Sequence, residues 1–182
     1  MIKMSMATFI NAMTAEDSTY YPVCSNVPKD LFNLAEVYLD ATLKPLLEAQ
    51  TFRREAHHLA PGLNLTNEPQ PSLSISGVVY NEMKGVFSNP EARLGRLLNR
   101  GLLPDTIYAN ESGGDPEAIP NLTYKSFLNY HSNYYHPSNS YFFSYGDIPP
   151  TQYCEFLDNT LNSFCRQTIS WPSGTGMDCF AP

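Results

Sequence analysis

Four histidines, four cysteines and one oddly placed glutamate are the residues of this chain best suited to chemistry. His57 and His58 are adjacent, so on a helix they diverge by about 100° and cannot face one ion. His131 and His136 are five apart, with Pro137 after the second. That is not the i, i+4 face that grips zinc. Surface or satisfied core histidines are expected in both pairs, and the residues alone present no complete metal site. No Gly-x-Ser-x-Gly elbow occurs, and Cys24, Cys154, Cys165 and Cys179 sit in no local catalytic signature. Without a Cys-x-x-Cys pair they read as four free thiols. Ser112-Gly113-Gly114-Asp115-Pro116 has two glycines but no lysine and runs into proline. It reads as a glycine-permitted turn, not a phosphate loop.

The odd residue is Glu82. It lies in Gly77-Val78-Val79-Tyr80-Asn81-Glu82-Met83-Lys84-Gly85-Val86-Phe87, whose apolar positions Val79, Met83, Val86 and Phe87 suggest a buried helix. A carboxylate on such a face must be paired, protonated or metal-bound. Lys84 is two residues away and points elsewhere. Two readings stay open: a functional carboxylate, or an exposed helix residue.

The elements that must position these residues follow from periodicity and punctuation. Residues 7–14 and 18–25 read as two strands around the turn Ala15-Glu16-Asp17, with Pro22 marking an edge or a bulge. Pro28-Lys29-Asp30 opens a helix whose Leu31, Leu34, Val37, Tyr38 and Ala41 follow the 3.6 period, and Pro45 ends it. A short helix over about 46–57 follows, then a polar, proline-bearing stretch at 60–76 that reads as a surface loop. After the Glu82 helix come a helix at 91–100 and a long loop at 104–121. Thr123 caps a helix to about Tyr135, which His136-Pro137-Ser138-Asn139 stops. Tyr134 to Pro137 reads as a packed helix end. Ser140 to Tyr145 reads as a strand with Phe142 and Phe143 in the core, and Pro150 to Phe164 as a last helix. This order implies an α+β fold: an antiparallel sheet with helices packed on one face. Residues 166–182 show no period and read as an irregular tail.

Composition bounds the partners. The chain has 182 residues, 11 Lys+Arg against 18 Asp+Glu and a net charge of −7. An acidic chain without a basic cluster is a poor polyanion binder, so nucleic acid is not expected as a partner. No apolar run approaches the roughly 18 residues of a membrane-spanning helix, and no membrane partner is expected.

The Glu82 segment resembles the presequence proteases, zinc peptidases of the pitrilysin and insulin-degrading-enzyme superfamily. Other blocks agree in the same order. Thr8-Phe9-Ile10-Asn11-Ala12-Met13-Thr14 is similar to the family's Asn-Ala strand, and Asp17 with Tyr21-Pro22-Val23 to its hairpin partner. Lys29 to Ala41, Leu103 to Tyr108, Ser112 to Pro116, Ile119 to Tyr124, Tyr134 to Asn139 and Tyr145-Gly146-Asp147 continue the series. The resemblance spans about residues 6–164.

It implies the mitochondrial-processing-peptidase-like metallohydrolase fold, truncated at its N-terminus. Residues 1–165 would be a partial peptidase N-terminal domain. In the family an inverted motif, His-x-x-Glu-His, supplies two zinc ligands and a general base, and a distal glutamate completes the ligand set. Glu82 matches that distal ligand, so zinc is the implied cofactor at a site this chain leaves incomplete. Asn11 and Ala12 match the edge strand that pairs with an unfolded peptide substrate.

The departure is that no His-x-x-Glu-His occurs here. No catalytic residue is therefore assigned. The missing N-terminal segment and the C-terminal half of the full enzyme are the implied partners. The expected function is a fragment of a zinc metalloendopeptidase that degrades short unstructured peptides such as cleaved targeting presequences, inactive alone. The alternative is a non-catalytic member that binds peptide or a partner subunit. The implied location is a mitochondrion (matrix) or a plastid. Uncovered core faces are expected to cause low solubility or association.

Overall fold

A computed structural model describes residues 5–62 and 73–166. The tail expected to be irregular lies almost wholly outside the described residues. The chain divides into two units, each built around its own helices. Of the described residues, the first holds 5–13, 19–46 and 129–166, and the second 14–18, 47–62 and 73–128.

In the first unit a hairpin forms where two strands were expected, but in shorter pieces. β1 (Ala7–Ile10) pairs antiparallel with β4 (Val23–Ser25), in the register Phe9 to Cys24 and Ile10 to Val23. The register shifts between Ala7 and Phe9, a bulge at Thr8. β2 (Met13–Thr14) and β3 (Thr19–Tyr20) follow along the chain on either side of residues 15–18, which belong to the second unit and in which the Ala15 N–H donates to Ser18 O at 2.7 Å. Pro22 has no N–H to give a ladder, and the strand breaks there.

α1 (Pro28–Leu43) begins at its proline and stops two residues before Pro45. It lies against β4 and β1. Leu34 is its buried residue, with Leu31, Tyr38 and Leu39 half-buried. Val37 and Ala41, expected on the same face, are exposed instead. Phe32 meets Tyr153 and Phe156 of α6 (Pro150–Leu161), with ring centroids 5.5 and 5.2 Å apart. The turn at Pro137–Asn139 stops α5 (Tyr124–Tyr134) as the proline requires.

The second unit holds α2 (Ala49–Glu55), a ladder of β5 (His58–Pro61) with β6 (Leu73–Ser76), α3 (Val78–Val86) and α4 (Pro90–Leu102). β5 and β6 pair antiparallel from His58 against Ser76 to Pro61 against Leu73. These strands replace the ends of the loop expected at 60–76. Phe52 anchors α2 among His57, Tyr124 and Phe127. Asn89 caps α4 by accepting from Glu91 N at 2.8 Å. Thr123 Oγ1 accepts from Ser126 N at 3.1 Å, and Ser126 Oγ accepts in return from Thr123 N at 3.0 Å, the cap expected at that threonine.

The α+β class is observed. Strand pairing among the described residues is confined to two-stranded antiparallel ladders. Two sequence expectations need correction. The α3 helix is not buried: Met83 alone of its side chains is, while Val78, Val79 and Val86 are exposed. Ser140 to Tyr145 forms no strand, and Phe143 is 91% exposed. Its pattern is that of a strand, but no backbone among the described residues supplies the ladder a strand requires.

Candidate functional site

Glu82 sits one residue before Met83 on α3, so Met83's burial turns Glu82 about 100° away from the core. The carboxylate is exposed and has no hydrogen bond or ion pair among the described residues. The premise that it must be paired or metal-bound because it lies on a buried face therefore fails; water solvates it. α3 itself is held firmly at its start. Gly77 is buried, and a Cβ built there would collide with the Ala56 carbonyl oxygen. Asn81 N donates to Gly77 O at 2.9 Å, and Asn81 Nδ2 to Ser76 Oγ at 3.3 Å. Lys84 lies over the Tyr80 ring, its Nζ 6.0 Å from the centroid, consistent with pointing elsewhere.

Asn11 and Ala12 lie in the first unit, in the gap between β1 and β2. Both are exposed. Asn11 N donates to Pro22 O at 3.2 Å, extending the hairpin by one rung. Ala12 N donates to Asn11 Oδ1 at 2.9 Å. β1 has one ladder partner among the described residues, β4, and its other edge is open. Glu82 and the Asn11-Ala12 pair belong to different units.

All four histidines are structurally satisfied, as the spacing suggested. His57 Nε2 donates to Leu122 O at 2.9 Å, His58 Nδ1 to Arg53 O at 2.9 Å and His131 Nε2 to Thr42 O at 2.8 Å. His136 is buried, its Nδ1 accepting from Ser138 N at 3.1 Å. Cys24, Cys154 and Cys165 are free and exposed; Cys179 lies outside the described residues. Among the described residues no three His, Cys, Asp or Glu side chains are placed to hold a metal. Among the described residues the chain thus assembles no complete zinc site by itself. Two open clefts of about 470 and 500 Å³ are lined around Phe32 and around Phe52; neither includes Glu82, Asn11 or Ala12.

Two polar arrangements carry no signal in the sequence. Arg96 Nη2 donates to Asp115 Oδ2 at 2.6 Å, and its guanidinium carbon lies 4.8 Å from the Phe87 ring centroid. Asp115 Oδ1 also accepts from Glu117 N at 2.9 Å. The Arg96 hydrogen bond, then that backbone N–H, hold the Asp115 carboxyl below the usual aspartate range. Gly114 has φ +93°, so the turn expected at Ser112–Asp115 does require its glycine. In the first unit the Tyr21 and Tyr135 hydroxyls lie 2.8 Å apart. Partial burial, then this hydrogen bond, raise the Tyr21 phenol above its ordinary pKa. Tyr21 and Tyr135 are 114 positions apart, and only folding pairs them.

The family described as "Peptidase M16 inactive domain" matches residues 121–173. Presequence protease 1, chloroplastic/mitochondrial, of Arabidopsis thaliana is 44% identical over 166 residues, 90% of this chain and 15% of that protein. Protein HypA of Clostridium perfringens is 46% identical over 160 residues, 87% of this chain and 16% of that protein. The mitochondrial presequence protease of Mus musculus is 46% identical over 148 residues, 81% and 14% respectively. The chain belongs to the presequence protease family. It spans about one-seventh of the length of these curated relatives. The M16 match covers all of α5 and α6, and the residues of the sequence resemblance, about 6–164, account for much the same share of the chain as these relatives do.

Proposed function

We propose that this presequence-protease chain contributes to a zinc metalloendopeptidase that degrades short unstructured peptides, such as cleaved targeting presequences, in a mitochondrion or plastid. Glu82 is then one zinc donor among several, the others lying outside this chain, and Asn11-Ala12 is the edge that a peptide backbone joins. The finer fold reading, the mitochondrial-processing-peptidase-like metallohydrolase fold, belongs to the same proposal. The observation that carries it is the 44% identity to a presequence protease over 90% of this chain. An exposed carboxylate free of other partners is compatible with ligation, because no existing bond has to break first. One carboxylate does not hold zinc tightly, and without zinc a nearby water stays near its bulk pKa of about 15.7 instead of about 7. The chain alone is therefore inactive on peptides.

The test is a chimera in which this chain replaces the matching segment of the Arabidopsis thaliana protein. The chimera should carry zinc and cleave an unstructured peptide in a chelator-sensitive way, and Glu82→Gln should lose both. A Glu82→Gln chimera that keeps stoichiometric zinc refutes the ligand assignment. The second reading, a non-catalytic member that binds peptide or a partner subunit, is favoured by the inactive-domain description of residues 121–173. It predicts a chimera that binds peptide but neither retains zinc nor cleaves.

A further inference from the structure

Glu82 adjoins Met83 on α3, and Met83 and Phe87 are four residues apart, on one side of that helix. Two elements of the second unit meet that side. Gly113 stands against Met83: a Cβ built there would collide with Met83 Sδ and lie 2.9 Å from its Cε. Arg96 of α4 lies over Phe87 and donates to Asp115, two residues beyond Gly113. The turn between them is stiff. Gly114 N donates to Glu111 O at 3.1 Å and Ile119 N to Asp115 O at 2.8 Å. A Cβ at Gly114 would lie 3.3 Å from Cδ1 of the buried Ile119. The contacts close a ring on the helix that carries Glu82: Met83, Gly113, Asp115, Arg96, Phe87. The two glycines serve it differently. Gly114 is glycine for its positive φ, whereas Gly113 is not left-handed. The backbone at Gly113 would accept a side chain; Met83 is what excludes one.

We propose that Gly113 and Arg96 are positioning residues: they fix the rotation of α3 about its axis, and with it the place of the Glu82 carboxylate as a metal donor. The inference deepens the reading of Glu82 as a zinc donor and rests on it. Magnitudes favour an effect on the donor over an effect on folding alone. Non-bonded contacts to carbon are about 3.5–4.0 Å, so a side chain at Gly113 must push Met83 by roughly an ångström. Met83 is buried and cannot swing into water, so part of that shift passes to α3. A metal site tolerates only about 0.2 Å in its ligand distances. Glu82, about 100° around the helix from Met83, moves with it. Arg96 holds the same face one turn further on, its planar guanidinium on the Phe87 ring and its charge on Asp115.

The experiment measures zinc affinity of the chimera with the Arabidopsis thaliana protein by competition with a chromophoric chelator, without substrate. Gly113→Val should weaken zinc binding at least about 10-fold, as loss of a residue that orients a ligand does. Adding Met83→Ala should restore at least about 3-fold of that loss, because it makes room for the new side chain. Arg96→Leu should weaken binding from the other end of the ring, and Arg96→Lys, which keeps the charge but not the stacked plane, should fall between it and the parent. In the 182-residue chain the α3 amides should stay within about 3-fold of the parent's exchange in Gly113→Val, since the helix turns as a body and does not melt. Leu34→Ala, a core truncation in the first unit, should leave zinc affinity unchanged. Gly113→Ala is read in the same way where Gly113→Val yields no folded chimera. Zinc affinity that depends on Glu82 but not on Gly113 overturns the positioning role and leaves the donor reading standing. A loss that Met83→Ala does not restore, or that comes with unprotected α3 amides, makes Gly113 a folding residue only and also overturns it. Affinity indifferent to Glu82→Gln removes the donor reading and the positioning role together.

Discussion

Replacing Gly77 with alanine tests how the Glu82 helix is held. A Cβ at Gly77 would collide with the Ala56 carbonyl oxygen and lie 2.7 Å from Ala56 C and 2.9 Å from His57 Cα. Ordinary carbon contacts are about 3.5–4.0 Å, so the chain leaving α2 and the chain entering α3 must separate by roughly an ångström. Both obstacles are backbone, which no rotamer change can clear. The displaced residues adjoin the His58–Ser76 rung of the β5–β6 ladder, so the strain falls on paired backbone. Overpacking of this kind costs about 1–3 kcal/mol, here toward the upper end. Reduced freedom of the unfolded chain offsets about 0.4–1 kcal/mol. The net expectation for Gly77→Ala is a loss of about 1–2.5 kcal/mol, read as a lower urea midpoint and faster exchange of the β5 and β6 amides. Gly95 provides the opposite sign. It sits inside α4 with nothing within 4 Å of a built Cβ, so Gly95→Ala should stabilise by about 0.5–1 kcal/mol. A Gly77→Ala chain as stable as the parent, or shifted in the same direction as Gly95→Ala, would refute the close approach of Gly77 to Ala56.

Asp115→Asn should destabilise by about 1.5 kcal/mol in chemical denaturation, because it weakens the ion pair of an Arg96 whose buried Nε has no partner among the described residues. The Asp115 carboxyl titrates below its unfolded value. Its stabilisation is therefore complete above about pH 3.9 and disappears as pH falls through the lower folded value; Asp115→Asn should flatten that acid loss of stability. Tyr21 has the reverse sign: its raised pKa favours the neutral phenol in the folded state, so its contribution holds below about pH 10 and fades above it. Absorbance titration at 295 nm should show a late phenolate component that Tyr21→Phe reduces, the Tyr130 and Tyr108 phenols, also raised, contributing the rest. Glu82→Gln in the isolated chain should change the unfolding free energy from urea denaturation by less than about 0.5 kcal/mol, since the carboxylate is exposed and has no partner among the described residues; a larger loss would reveal a structural partner.

What could be read in advance follows locality. α1 is bracketed by Pro28 and Pro45 and carries its apolar residues at helical spacing, so its ends were legible to within two residues. The Thr123 cap and the Gly114 turn were legible for the same reason: each is a short-range bargain between a side chain and nearby backbone. β5 and β6 were not. His58-Leu59-Ala60-Pro61 and Leu73-Ser74-Ile75-Ser76 are ordinary tetrapeptides whose pairing spans eleven intervening positions, and nothing local announces a partner so far away. Arg96 with Asp115, and Tyr21 with Tyr135, were invisible on the same ground. Glu82 was legible as a candidate only through family likeness, since the physical premise offered for it, burial, does not hold.

The failures of the burial expectation share one direction. Periodicity marked Val37, Val79, Val86, Phe142 and Phe143 as interior, and the structure leaves all five exposed. α4 makes the same point without any misreading. Leu94, Leu97, Leu98 and Leu102 recur at helical spacing on one side, yet they are 58%, 65%, 52% and 75% exposed. Among the described residues the buried apolar side chains are Leu34, Phe52, Met83 and Ile119, between 3% and 9% exposed. A pattern of this strength ordinarily buries a continuous stripe, because leaving a leucine in water forgoes about 1.5–3 kcal/mol. The two signals are reconciled when the period reports the surface each element is shaped to meet, and the exposure reports that the described residues do not supply it. Apolar residues bare at regular spacing are then informative in a way that scattered ones are not. Titrating the chain with a hydrophobic dye should accordingly give strong binding that Leu94→Ser with Leu98→Ser reduces; weak binding by the parent would mean that these leucines are covered in solution.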